Sequence, residues 1–386
     1  MKQGKSCPVF ITAAFFVVLA AITLLSIFLP RRAYSETEKR SLRTLPALTA
    51  ESLTTREDSR KFSTNYEAYV ADQFLLRDAF VGVKNETERL IGKTDINGVY
   101  LGKDGYLFAK EVTAPERFDP NVDAVRRFFE ELKQDKNVQN TALMLVPDSA
   151  QLYPERLPAF AENYATSPLC ETAQTALSDA FLDPLMLLSA HKDEELYYRT
   201  DHHWTTHGAY YAYTQIADAF GFAPHERSDY EIACVSESFL GTYAAKVNLP
   251  GLIPDRIDRY LLCGTAIPAM KNERESYPSI YFDDALQTSD QYTYFLGKNQ
   301  AFLEIETDAA ADRTLVLVKD SYAHSLVPFL LDHYHRILCI DLRYYEQSVS
   351  DLISSIDGPT DVLLLYQTWN FADDVSVFKL SVANKG

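Results

Sequence analysis

Thr314-Leu315-Val316-Leu317-Val318-Lys319-Asp320-Ser321-Tyr322 is the stretch whose reading decides the fold. Its first five residues are apolar or β-branched with no polar alternation. A strand of that kind is covered on both faces, as in a parallel sheet between two helical layers. Thr141 to Pro147, Ile337 to Ile340 and Asp361 to Tyr366 read the same way. Helical spacing recurs at 205 to 221, 322 to 334 and 345 to 356. Asp119-Pro120 opens another helix, a cap followed by proline in the first turn, with Val122, Val125, Phe128, Phe129 and Leu132 on one face. The pattern predicts a three-layer α/β/α domain with a mostly parallel sheet. Ser321 then stands at the carboxyl end of a strand and at the start of a predicted helix, where ligands collect in open α/β sheets. The plainer reading is that Ser321 only caps that helix.

Upstream lies Thr200-Asp201-His202-His203-Trp204-Thr205-Thr206-His207. A carboxylate two positions before an imidazole holds the ring's tautomer if the backbone turns between them, and an oriented imidazole is a general base that needs a nucleophile. Two other readings stand beside this one. In the first, Asp201 is only the N-cap of a 202 to 221 helix; in the second, His203 and His207, four apart on one helix face, bind a metal. The metal reading lacks both the glutamate of the zincin pattern and a third ligand.

The 386 residues are 47% hydrophobic, enough for a large core in one or two domains. From Cys7 to Leu29 no charge interrupts the apolar run, and at about 1.5 Å per residue it spans a hydrocarbon core of roughly 30 Å. We expect residues 1–6 as a cytoplasmic tail, 7–30 as a signal anchor, 31–60 as a polar stalk and 61–386 as the body. A cleaved signal peptide is the alternative, with Lys2 and Lys5 before the run and Ala33-Tyr34-Ser35 as the cut. The run exceeds an ordinary signal h-region, and Arg31-Arg32 stand just before that cut. Basic residues after the run favour the opposite topology by the positive-inside rule, but long domains translocate largely regardless of charge. The expected location is the cell membrane, single-pass, with the bulk of the chain outside.

Beyond residue 43 the chain holds 30 Lys+Arg against 52 Asp+Glu. Such a field repels nucleic acid and anionic lipid, which excludes both as partners for that part of the chain. No cysteine spacing suggests zinc; Cys234 with Cys263 is the pair an exported domain could bridge, and Cys339, in an apolar run, reads as a buried thiol. Residues 62 to 90 have helical spacing, 99 to 108 read as a hairpin, and 224 to 312, rich in tyrosine, proline and glycine, read as an irregular insertion with short strands.

Several blocks carry a family resemblance. Asp201-His202-His203-Trp204 resembles the element that names the DHHW proteins. Residues 69–78, the 102–108 turn, Phe239-Leu240-Gly241-Thr242-Tyr243 and Lys319 to Phe329 resemble that family's other blocks. Together they cover roughly residues 60 to 380. The family is in turn similar to the SGNH-type acetyltransferase domains of alginate O-acetylation, and Val146-Pro147 followed by Tyr153 to Pro158 looks like those domains too. The resemblance implies Ser321 as nucleophile, His203 as base and Asp201 as the residue that orients it. His202 and Trp204 become candidate contacts of the triad or the substrate. Lys319 stands where the SGNH serine block has glycine, and the usual oxyanion glycine and asparagine have no clear counterparts. Arg343 and Asn370, each just after a strand, are the candidates for that role.

The expected function is O-acyl transfer, of acetyl groups above all, onto a cell-envelope polysaccharide, with no cofactor and no metal. The resemblance implies a polytopic membrane-bound O-acyltransferase as acyl-supplying partner. A carbohydrate esterase with the same triad and an inactive glycan-binding or scaffold protein are the alternatives.

Overall fold

The computed structural model describes residues 6–28 and 30–381, in two compact units. One comprises residues 1–93 with 245–251, so far as described, and the other 94–244 with 252–386. The first five residues of the expected tail lie outside the described residues.

The second unit is built on eight strands in the order Ser276–Tyr277, Met270–Lys271, Phe302–Glu306, Arg336–Ile340, Thr314–Lys319, Thr360–Gln367, Val138–Val146, Phe181–Leu182. The last five are mutually parallel, and the other three add antiparallel strands at one edge. Every residue of Thr314–Lys319 and Thr360–Gln367 is buried. Because side chains alternate across a strand, Leu315, Leu317, Leu363 and Leu365 enter one core while Val316, Val318, Val362 and Leu364 enter the other. Each such side chain contributes about 1.5–3 kcal/mol by leaving water, so covering both faces is what makes the uninterrupted run stable. Thr206–Phe220 covers the first face through Ala209, Ala212, Tyr213 and Ile216, and Phe118–Leu132 covers the second through Val122, Val125, Phe128 and Leu132. This is a mixed α/β fold around a large, mostly parallel sheet.

Four local expectations are corrected. After Ser321 there is no α-helix over 322–334 but two short 3-10 turns, Ser321–Ser325 and Val327–Leu330, the second with Pro328 in its first turn. Proline lacks the N–H and disfavours helix in the residue before it, which breaks the run there. The 345–356 helix is trimmed to Val349–Ser354, starting where the Ser348 side chain accepts from Asp351 N. The 224–312 segment holds the expected short strands, three of which add antiparallel at the sheet edge, but it is more regular than expected in forming the long Tyr230–Phe239/Asp255–Leu262 hairpin. Cys234 pairs in register with Asp258, whereas Cys263 lies beyond Leu262, which pairs with Tyr230. At about 3.4 Å per strand residue the two thiols are too far apart to bridge. Cys170, Cys234, Cys263 and Cys339 are all free, Cys339 being buried in its strand.

In the first unit a helix covers Ser6–Phe28. Its side chains are described continuously only over residues 10–26, and among the described residues no helix is long and apolar enough to cross a membrane. The 62–90 pattern is two helices, Phe62–Asp72 and Arg77–Leu90, broken where Leu76 takes a left-handed φ of 57°. Part of the polar 31–60 segment is tied down here: Arg40 reaches both carboxylate oxygens of Asp72 at 3.0 and 2.6 Å, Arg43 N donates to the same group at 2.9 Å, and Leu42 is buried.

Candidate active site

The sheet places Ser321 by ending a central strand at Lys319 and turning sharply. Asp320 makes the turn: its carboxylate accepts from Tyr322 N at 2.9 Å, Gln367 N at 2.9 Å and the Asn370 amide at 2.7 Å, the last two from the end of the neighbouring strand. Burial pushes the Asp320 carboxyl upward, and these three donors oppose that shift. Trp204 locks the next residue, donating from its indole to the Tyr322 carbonyl at 2.9 Å. Ser321 itself stays half-buried between buried neighbours.

The Asp-His element reaches the serine through a short reversed loop, in which Tyr197 bridges Trp204 and Tyr198 N donates to the His203 carbonyl at 3.2 Å. Within it Asp201 Oδ1 accepts from His203 N at 3.0 Å and stands 2.5 Å from His203 Nδ1. Its other oxygen accepts from Thr242 N at 2.7 Å. An ionised carboxylate only accepts, so Nδ1 carries the proton and Nε2 is left as the acceptor. Nε2 lies 2.8 Å from the Ser321 hydroxyl. Burial alone would raise the Asp201 carboxyl, but the charges of His202 and His203 and its hydrogen bonds hold it well below the usual carboxylate range.

A further group of residues holds this element in place. Buried Asp255 accepts from Arg199 N at 2.9 Å, and from Thr200 N and Oγ1 at 2.8 and 2.6 Å; Thr200 Oγ1 in turn accepts from Gly241 N at 3.0 Å. Gly241 lies directly on Asp201: a Cβ there would stand 2.2 Å from Asp201 Cβ and 2.4 Å from Oδ2. The His203 ring is sandwiched. Tyr292 stacks on one face at 3.7 Å and 10°, and His202 lies 3.8 Å away, tilted by 38°. The Tyr292 hydroxyl is 3.2 Å from the Ser321 carbonyl and 3.2 Å from Ser325 Oγ.

Of the residues singled out in the sequence, Asp201, His203 and Ser321 therefore meet in a hydrogen-bonded row. His202 packs beside them with Nδ1 2.7 Å from Thr242 Oγ1. Trp204 is fully buried with its N–H engaged, so it positions the serine corner and does not face a substrate. Arg343 is committed elsewhere: its Nε and Nη2 grip both oxygens of Asp341 at 2.9 and 2.6 Å. Asn370 is exposed at the neighbouring strand end, with one amide hydrogen on Asp320 and a second beyond it. The His203/His207 metal pair is not formed. The helix begins only at Thr206, and His207 Nε2 lies 3.0 Å from Glu194. Asp201, His202 and His203 offer ligand atoms within 4.8 Å of one another, which is a more compact metal-binding alternative.

Sequence reading missed Tyr292, one of 24 tyrosines with no pattern to mark it, and Asp255. It noted the Phe239 to Tyr243 block without its role, for which the glycine was the available signal. Lys319, in the place of the SGNH glycine, is buried with Nζ 2.5 Å from His324 Nε2. Burial pushes both groups toward their neutral forms. A cavity of about 590 Å³ walled by Tyr230, Tyr260, Tyr281 and Phe329 includes none of the three aligned residues.

Residues 177–340 match the DHHW protein family, and residues 99–249 match the SGNH hydrolase-like domain of the acetyltransferase AlgX. The chain is similar to the DHHW proteins. A solved DHHW family protein from Eubacterium siraeum is 25% identical, with a TM-score of 0.64 over 75% of this chain and 98% of that one. Bacillus cereus PatB1 is 19% identical, with a TM-score of 0.61 over 72% of this chain and 97% of its own. PatB1 solved with a sulfonyl adduct gives 19% and 0.60, over 73% and 96%. No curated protein matches. The DHHW-like fold thus spans nearly the whole length of these relatives.

Proposed function

We propose that the protein is a membrane-anchored, extracytoplasmic serine O-acyltransferase that moves acetyl groups onto a cell-envelope polysaccharide. The observation that carries this reading is the row Ser321 Oγ, His203 Nε2, His203 Nδ1, Asp201 Oδ1, with separations of 2.8 and 2.5 Å. In the first half-reaction the Ser321 oxygen attacks the acyl carbonyl while its proton passes to His203 Nε2. Collapse of the tetrahedral intermediate expels the donor's leaving group, which takes that proton and leaves an acyl ester on Ser321. A sugar hydroxyl then attacks the ester, yields its proton to His203, and departs acylated; Ser321 recovers the proton. Asp201 stays ionised throughout and stabilises the imidazolium, a role its depressed pKa suits. Asn370 is the better placed of the two oxyanion candidates, because Arg343 is held by Asp341.

The uncharged run of residues 7–30 supports an anchor, Lys2 and Lys5 before it and the resemblance to the alginate O-acetylation domains support a body outside, and a polytopic membrane-bound O-acyltransferase is the partner that would bring acyl groups across. If water resolves the acyl-enzyme, the same row makes an esterase; if no acyl-enzyme forms, the protein is a glycan binder or scaffold. The test is intact-mass detection of an acyl adduct from an activated acetyl ester. The adduct should map to Ser321 and vanish in Ser321→Ala and His203→Ala. Equal release of acetate by wild type and Ser321→Ala would sink the proposal. EDTA should leave acylation unchanged; loss restored by zinc would favour the Asp201/His202/His203 metal site.

A further inference from the structure

The first unit carries apolar surface that the triad does not explain. On Arg77–Leu90, Phe80, Val83 and Leu90 recur at helical spacing with Leu76 at its start; Leu76 and Val83 are each 65% exposed and Phe80 55%. Phe80, with Val81 of its own helix, Val70 of the Phe62–Asp72 helix and Phe74 of the turn between them, also lines a shallow groove of about 570 Å³ beside the stripe. The same helix carries Arg77, Lys84 and Arg89 against Asp78, Glu86 and Glu88, with Arg77 paired to Glu38, Lys84 to Glu88 and Arg89 to Glu86, so its polar side is charge-balanced. An amphipathic helix with an exposed apolar stripe and a charged side suits a bilayer interface.

The link to the Ser6–Phe28 helix points to what covers this face. Gln73 Oε1 accepts from Arg32 N at 3.0 Å, Gln73 Nε2 donates to the Arg32 carbonyl at 2.8 Å, and the Arg32 guanidinium pairs with Asp78 at 2.7 Å. Arg32 is four residues beyond Phe28, a reach of at most about 14 Å. The turn bearing Phe74 and Leu76 is therefore fastened close to the end of the apolar helix. Charge agrees: residues 31–93 hold 12 Lys+Arg against 10 Asp+Glu, whereas residues 94–386 hold 23 against 44. Residues 44–93 alone hold 7 Lys+Arg against 8 Asp+Glu, so the strong lipid repulsion expected of the chain beyond residue 43 belongs to residues 94–386 and not to the segment bearing the apolar stripe.

We infer that the Phe62–Asp72 and Arg77–Leu90 helices lie on the bilayer surface, with Leu76, Phe80 and Val83 set among the lipid chains near the headgroups. The inference rests on the anchor reading of residues 7–30. It adds a second attachment that limits how far the first unit can rise from the membrane.

The test uses the full chain in phosphatidylcholine/phosphatidylglycerol vesicles, with tryptophan placed singly by Phe80→Trp, Val83→Trp and, inside the anchor, Phe16→Trp. The added emission is read against wild type, whose Trp204 and Trp369 are buried. We expect brominated lipid to quench all three additions and aqueous iodide to quench none strongly. Quenching of F80W and V83W by iodide instead, with F16W quenched by lipid, would overturn the surface while leaving the anchor. Shielding of F80W and V83W from both quenchers would also overturn it, in favour of a protein cover. An unquenched F16W would remove the anchor itself, and the surface with it.

Discussion

Gly241→Ala puts the candidate triad under the most direct strain that one methyl group can apply. A Cβ at 241 would stand 2.2 Å from Asp201 Cβ, 2.4 Å from Oδ2 and 2.6 Å from Cα. The obstruction is the root of a buried residue, whose carboxylate is held by Thr242 N and His203 and cannot swing aside as a free chain end would. Ordinary contact begins near 3.4 Å, so the two segments must part by about 1.2 Å. Taken wholly by Asp201 along the line away from His203, a shift of that size stretches the 2.5 Å between Asp201 Oδ1 and His203 Nδ1 to an upper limit of roughly 3.7 Å, beyond a hydrogen bond. A misplacement of about 1 Å costs on the order of 100-fold in rate, and complete loss of the orienting carboxylate on the order of 10⁴. Overpacking should also cost roughly 1–3 kcal/mol of stability. Ser321 acylation rates should be read by intact mass, beside a urea titration showing that the variant remains folded. The double variant G241A/D201N should be no slower than D201N alone, because both changes remove the same function. If G241A acylates within about threefold of wild type, or if its effect multiplies with that of D201N, the reasoning from glycine to carboxylate to imidazole is wrong.

Tyr292→Leu removes the ring that stacks on His203 and should slow acylation roughly 2- to 12-fold, the range of about 0.5–1.5 kcal/mol for such a contact; Tyr292→Phe keeps the ring and should stay nearer wild type. An equal loss in both would assign the effect to the hydroxyl. Burial lowers His333 to about 4 and holds His324 well below its ordinary value. The unfolded chain therefore binds more protons below about pH 6.5, and stability present above that pH is lost as pH falls toward 4. Urea midpoints should show this decline, and His333→Gln should flatten part of it; an unchanged slope would contradict the assignment. Since Cys170, Cys234, Cys263 and Cys339 are free, dithiothreitol should not move the thermal midpoint, and a drop of several degrees would reveal a bridge.

What the sequence made legible, and what it hid, divides along a physical line. The four uninterrupted apolar runs announced buried parallel strands because burial on both faces leaves no room for alternation. The order of blocks likewise pointed to Asp201, His203 and Ser321, which the loop and the strand corner bring together. Phe302–Glu306 escaped as a sheet member because Glu304 and Glu306 interrupt its apolar pattern; Arg336 and Lys271 answer those charges in space, at 2.6 and 3.1 Å. The predicted helix after Ser321 had the right apolar spacing, but Pro328 enforces short turns, and those turns carry buried Tyr322 beside the His203 ring and Ser325 against the Tyr292 hydroxyl.

Arg343 illustrates the same limit at a single side chain. Its place after a strand made it an oxyanion candidate, yet Asp341, two residues earlier, captures both arms of its guanidinium, a competition that spacing alone does not decide. Asn370 sits at a comparable strand end and is drawn to Asp320, the residue that turns the chain into Ser321. The two candidates thus differ in which carboxylate claims them. Asn370 is hydrogen-bonded to the residue that precedes the nucleophile while both arms of Arg343 are bound to Asp341, so Asn370→Ala should slow acylation more than Arg343→Ala does.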